Sequence, residues 1–295
     1  MPDVEIEDTF AEAFPMIAGR ILITADNEEW AMNSARSATG FASSIIMSPA
    51  EAGIEGPKAS YKKTPDGRSG VYIQIYHRTG REFKGQMLSR IGQCILTCPT
   101  TSAFDAMPKA KKRIKIGRAI RYFGDGFQRK DSLEGRDIWR IPVMEGEFLI
   151  EDKFGVKRAV AGGNFLIMAE DYKSGLKASM DSIKAIKKVE GVITPFPGGI
   201  CRSGSKVGSN KYKLPASTNH LFCPLLKDSV SGSQIPENVN SVYEIVLNGL
   251  TLSQVKRAME GGIKAAINVD GIKKISAVNF GGKLGPFRIN LRDVV

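Results

Sequence analysis

Two stretches decide the fold: IKAIKKVEGV at 183–192 and IKAAINVDGI at 263–272. Each reads as the end of a helix, a Gly that stops it and the apolar start of a strand. Each then runs into a glycine-bearing loop, PFPGG at 195–199 and NFGGKLG at 279–285. FLIMA (165–169) precedes the first helix as a strand; Ser174 caps that helix, and Leu176, Met180, Ile183 and Ile186 form its inward face. VYEIVLN (242–248) precedes the second, where Thr251 and Gln254 make a capping box and Val255, Met259, Ile263 and Ala266 point inward. Strands at 192–196, 275–279 and 287–291 complete this half, giving the order β-α-β-β-α-β.

The N-terminal half repeats that order. RILITA (20–25) is a strand, and Asp26 or Asn27 caps a helix with Trp30, Ser34, Ala35 and Ala38 inward. SSIIM (43–47) and VYIQIY (71–76) are strands, 81–92 is a helix, and CILTC (94–98) closes the set. Between the halves GRAIRYF, DIWRIPV, GEFLIED and VKRAV read as extra strands within 115–160. The expectation is an α+β protein made of two ferredoxin-like (split βαβ) lobes from an internal duplication, residues 1–146 and 147–295. Antiparallel sheets should carry their helices on one face.

Composition excludes several classes. The 295 residues include 42 Lys+Arg, 31 Asp+Glu, four Cys and two His, with 42% hydrophobic residues. That is a globular composition. The longest uncharged stretches, 37–50 and 91–104, contain Pro and polar residues, and both fall short of the roughly 20 apolar residues a membrane helix needs. The acidic start MPDVEIEDTF lacks the apolar core of a secretory signal. No CxxC pair occurs, and His77 and His220 lie far apart, so a metal site has few ligands to use. A cytoplasmic, metal-free protein is expected. Net charge is +11, and 106–124 holds seven bases and no acid. That strip reads as a solvated surface, a collector of small anions or a nucleic-acid footprint. Sparse aromatics argue against nucleic acid.

The sharpest single residue is Glu244. In a strand it shares a face with Val242 and Val246, so burial should raise its pKa and let it serve as a proton or hydrogen-bond donor to an oxyanion. An edge-strand Glu in solvent, or one paired with Lys, is the ordinary alternative. Glycine-rich loops offer backbone N–H groups to anions: AGGN at 161–164, PFPGG, SGSKVGS at 203–209 and NFGGKLG. Glu51 lies in a long loop between elements, where function often sits.

At these motifs the chain resembles the formylmethanofuran:tetrahydromethanopterin formyltransferase family. The resemblance runs through VEIEDTFAEAF (4–14), PAEAGI (49–54), TPDGR (64–68), SAFDAMP (102–108), FGDGF (123–127), EGEF (145–148), AGGNF (161–165), SKVGS (205–209), LPASTN (214–219) and VYEIV (242–246), as well as the two glycine loops. It implies reversible transfer of a formyl group from methanofuran to N5 of tetrahydromethanopterin, directly and without a prosthetic group, both carriers being substrates. It implies a homotetramer built from dimers. Residue by residue, it makes Glu244 the catalytic acid near the formyl carbon. For carrier binding it points to Glu51, to Phe196, Gly198 and Gly199, to Ser205 and Lys206, and to Asn279, Gly281, Gly282 and Lys283. Many methanogen relatives are strongly acidic and depend on high salt; this chain is basic, so that requirement is not carried over to it. A subunit that works only inside a larger formyltransferase/hydrolase complex is the runner-up; a basic nucleic-acid binder is the alternative of a different class.

Overall fold

The computed structural model describes residues 4–295. The first elements in chain order are β1 (Glu5–Ile6), β2 (Phe10–Ala25), α1 (Glu28–Thr39), β3 (Glu51–Ile54), β4 (Ser69–His77), α2 (Gly80–Arg90) and β5 (Ser102–Asp105). Then come β6 (Lys112–Ile114), α3 (Gly117–Ile120), β7 (Arg129–Leu133), β8 (Arg136–Val143) and β9 (Gly146–Glu151). The last are β10 (Phe154–Ala169), α4 (Tyr172–Ile186), β11 (Val192–Ile193), β12 (Ser241–Gly249), α5 (Leu252–Ile267), β13 (Ile272–Ser276) and β14 (Phe287–Asn290). Packing divides the chain into two units: Met16–Ile45 with Pro49–Arg158, and residues 4–15 with Ile46–Ser48 and Ala159–Val295. The sequence puts the join near residue 146, whereas packing changes inside β10. Strand pairing explains why the chain start belongs to the second unit: β14 runs antiparallel to the start of β2, from Phe287↔Ala13 to Asn290↔Phe10.

In the first unit β5 pairs β2, β2 pairs β4 and β4 pairs β3, all antiparallel. Ala31, Ala35 and Ala38 of α1 and Phe83 and Met87 of α2 bury against Ile21, Ile23, Ile73 and Ile75. Beyond β5 lie β9, β8 and β7 in a meander. In the second unit β13 pairs β10, β10 pairs β12 and β12 pairs β11, again all antiparallel. Phe165, Ile167, Ile245, Leu247 and Ile275 meet Ala178, Ile183 and Ile186 of α4 and Val255, Met259 and Ile263 of α5. Both units therefore show the same element order and the same neighbour order.

Side-chain caps start three helices. Asn27 accepts from Trp30 N at 3.1 Å, and Thr251 accepts from Gln254 N at 3.2 Å. Asp171, not Ser174, caps α4, accepting from Lys173 N and Ser174 N. No helix among the described residues is long and apolar enough to cross a membrane.

Several local expectations are corrected. SSIIM is a turn, and the strand is β3, EAGI. Glu51 and Gly are weak strand formers, but Ala50 and Ala52 let this segment pack into the cluster with α1, so tertiary fit overrides propensity. CILTC is helical at first: Phe83, Met87, Ile91 and Ile95 recur every four residues, all buried, and a π-turn at Ile91–Ile95 extends the helical face. GRAIRYF begins as α3, not a strand; Gly117 is there because a Cβ would lie 2.0 Å from the Glu151 carbonyl oxygen. Trp30 is 38% exposed, Leu176 38% and Met180 49%. On α4 the smaller Gly175, Ala178, Ser179 and Ser182 take the buried face. Ser182 Oγ donates to the Gly262 carbonyl at 2.7 Å, a close approach that turns Leu176 and Met180 outward. The basic strip is partly structural: Arg113 pairs with Asp105 and Glu151, and Arg118 with Asp152.

Candidate active site

The second unit's sheet has one face under α4 and α5 and the other under the long segment between β11 and β12. On that other face Leu166, Met168 and Val278 pack with Val239, Val242, Phe222 and Phe280. Glu244 stands on β12 directly opposite Leu166, and the overlying loop closes it off. Cys201 forms a reciprocal backbone pair with it: Cys201 N donates to Glu244 O at 2.8 Å, and Glu244 N to Cys201 O at 2.9 Å. The residue is 1% exposed. Ser205 Oγ donates to its Oε1 at 2.6 Å, while its Oε2 has no hydrogen-bond partner among the described residues.

Burial is the dominant influence on this carboxyl. It pushes the pKa up to about 7 against the pull of the Ser205 hydrogen bond. An acid of that kind holds its proton near neutrality and can hand it to an oxygen gaining charge. Beside it lies a hollow of about 80 Å³, with Leu166, Cys201, Asn219, Phe222, Cys223 and Val242 among its other lining residues. Burial pushes the Cys201 thiol up, so it stays protonated and is a poor nucleophile.

In the first unit the register position opposite Leu22 is held by Tyr72, with the Arg20 guanidinium stacked on its ring at 4.0 Å. The same place in the repeated topology thus carries an acid in one half and an aromatic in the other.

The other sequence candidates fall in distinct places. Phe196, Gly198 and Gly199 form the turn after β11, a few residues before Cys201. Ser205 is Glu244's hydrogen-bond partner. Lys206 Nζ lies 3.0 Å from His220 Nδ1 and donates to Asn210 Oδ1 at 3.2 Å. Asn279 Nδ2 donates to Thr9 Oγ1 and to the Phe10 carbonyl, while Gly281 and Lys283 are exposed. Glu51 belongs to the first unit, buried on β3, and accepts from Ile45 N at 3.0 Å.

Glu12, which the sequence reading passes over, organises the loop 279–285. Its carboxylate accepts from Phe280 N at 2.8 Å, Gly282 N at 3.0 Å and Gly285 N at 2.9 Å, and also from Leu284 N. Burial alone would raise its pKa, but the backbone donors outweigh it and hold the carboxyl below its ordinary value. The signal was the one that flags Glu244, an acid sharing a strand face with apolar residues, here Phe10 and Phe14, hidden in a run that reads simply as acidic. Asn219 was legible only as part of LPASTN. No group of three or more His, Cys, Asp or Glu that could hold a metal occurs among the described residues.

An α+β scaffold with a proton-bearing carboxyl beside a small hollow fits the class of acyl-group transferases, and comparison with known proteins narrows the class. The profile described as formylmethanofuran-tetrahydromethanopterin formyltransferase matches residues 1–143, and the profile described as that family's proximal lobe matches 146–294. The formyltransferase of Methanocaldococcus jannaschii is 55% identical over 99% of this chain and 98% of its own length. That of Methanopyrus kandleri is 54% identical with the same coverage. The solved formyltransferase from Methanosarcina barkeri superposes with a TM-score of 0.96 at 49% identity, covering 100% of this chain and 99% of its own. A chain of the formyltransferase/hydrolase complex from Methylorubrum extorquens, solved with methylofuran, gives 0.94 at 43% identity, with coverages of 100% and 97%. The chain belongs to the formylmethanofuran–tetrahydromethanopterin formyltransferase family and is a transferase.

Proposed function

We propose that this chain moves a formyl group reversibly between the amine nitrogen of methanofuran and N5 of tetrahydromethanopterin, directly within a ternary complex and with no prosthetic group. The observation that carries the mechanism is the buried Glu244 carboxyl with its free Oε2. N5 attacks the formyl carbon, the C–N5 bond forms and the carbonyl oxygen gains negative charge. Glu244 hydrogen-bonds that oxygen; as the intermediate collapses its proton passes to the methanofuran nitrogen, and the carboxylate takes up the proton that N5 sheds. Collapse breaks the bond to the methanofuran nitrogen. Net, one proton leaves N5 and one reaches the departing nitrogen, so a carboxyl that gives and regains a proton balances the step. Holding both carriers in line supplies on the order of 7–11 kcal/mol of the barrier reduction.

The carrier-binding roles of Glu51, Phe196, Gly198, Gly199, Ser205, Lys206, Asn279, Gly281, Gly282 and Lys283 belong to the same proposal. So does the description of the chain as duplicated ferredoxin-like lobes, 1–146 and 147–295. The matching neighbour order of the two sheets and the profile boundaries at 143 and 146 support it. A homotetramer and a cytoplasmic location complete the reading; the four unpaired thiols support a reducing compartment.

The test is a two-substrate assay on the purified chain, with its mass measured in solution. Transfer from formylmethanofuran to tetrahydromethanopterin by the chain alone, as a tetramer, is the expected result. Transfer that appears only when other subunits are added would favour a component of a larger assembly, as in the Methylorubrum complex.

A further inference from the structure

Among the described residues three buried side-chain polar atoms lack a hydrogen-bond partner: Asp105 Oδ2, Glu244 Oε2 and Asn219 Nδ2. The first faces the Arg113 guanidinium at 3.0 Å and needs no further account. The other two belong to residues lining the same hollow of about 80 Å³. Leaving a buried amide donor unpaired costs about 1–3 kcal/mol, so each instance in a native fold calls for a reason.

The chain holds Asn219 firmly in this position. Its backbone N–H donates to the Ser203 carbonyl at 3.2 Å, and its carbonyl accepts from Phe222 N at 2.9 Å. The residue is 9% exposed. Gly204, at φ +75°, faces it so closely that a Cβ there would lie 2.4 Å from the Asn219 Cβ. Any larger residue at 204 would displace the amide. An unpaired donor and an unpaired carboxyl oxygen thus line one space, whose wall mixes Leu166, Phe222 and Val242 with Arg202, Ser203 and Thr218, on a segment already tied to Glu244 through Cys201 and Ser205.

We propose that Asn219 Nδ2 is a second hydrogen-bond donor to the carbonyl oxygen of the transferred formyl group, acting with Glu244 in this hollow. The inference rests on the reading of the hollow as the transfer site. A donor without a partner in the resting protein and satisfied once the oxygen carries full charge favours the transition state over the ground state. Because an amide does not ionise, it donates equally at every pH, unlike the carboxyl beside it.

Asn219→Ala should lower kcat about 10²–10³-fold, with KM for both carriers changed less than about threefold and the same fractional loss at pH 6 and pH 8. Asn219→Asp, which keeps the shape and removes the amide donors, should lose at least as much at pH 8; its melting temperature guards against a folding artefact. A kcat in both variants within about threefold of the parent, or a loss seen only in KM or melting temperature, overturns the donor role. Glu244→Gln is measured alongside. If it is impaired while the Asn219 variants are not, only the Asn219 role falls. If both positions tolerate substitution, the hollow is not the transfer site.

Discussion

Glu244→Gln is expected to lower kcat about 10²–10⁴-fold, the range that a positioned proton donor commands, with much smaller changes in KM. Glutamine fills the same volume, and its Oε1 can still accept from Ser205. What disappears is the proton that must reach the departing nitrogen. The parent enzyme should lose turnover as pH rises through about 7, where its buried carboxyl ionises, whereas the residual activity of the variant should lack that limb. Steady-state kinetics from pH 5.5 to 9 decides this. Unchanged turnover in the variant would remove Glu244 from the mechanism.

Glu12→Ala should destabilise the protein by about 3–5 kcal/mol, because four partly buried backbone N–H groups around one buried charge lose their acceptor together. Glu12→Gln should also be costly: one carboxylate oxygen becomes an NH₂ group set against N–H donors. Chemical denaturation at pH 7 measures both. The pH dependence has a definite sign. The folded-state pKa of Glu12 lies below its ordinary 4.5, so its contribution is present above 4.5 and fades as pH falls through the lower folded value. The gap between parent and variant should narrow in acid. A constant gap from pH 7 down to 3 would mean that charge is not what holds loop 279–285.

Glu244 runs the other way. Its folded pKa is raised, so its favourable contribution is full below 4.5 and is lost as pH climbs towards 7. That span corresponds to about 3–4 kcal/mol of burial penalty by the usual conversion of about 1.4 kcal/mol per pKa unit.

The sequence was informative where a single local rule governs a segment. The Thr251–Gln254 box, the Asn27 cap and the alternation that aims Glu244 away from Tyr243 and Ile245 all follow from neighbours in the chain. It misled where tertiary packing chose among local options. EAGI became a strand because small residues fit beside α1, and Ile91 and Ile95 extended a helix face through a π-turn. Leu176 and Met180 gave up the buried side of α4 to smaller residues that let α5 approach. The candidate site shows the same split. Glu244 was legible because an acid flanked by valines on one strand face is a local anomaly. Asn219 and Gly204 were not, because their meaning depends on a loop returning over the sheet from a distant part of the chain. Glu12 carried a local signal of the same type as Glu244, overlooked within an acidic run.

The ionisation of one side chain decides whether this mechanism operates. In protein carrying glutamate labelled with ¹³C at the carboxyl, the Glu244 resonance is assigned by its loss in Glu244→Gln and followed across pH 3 to 9. A midpoint at about 7 is predicted. A midpoint near 4.5, the ordinary value for a solvated glutamate, would contradict it.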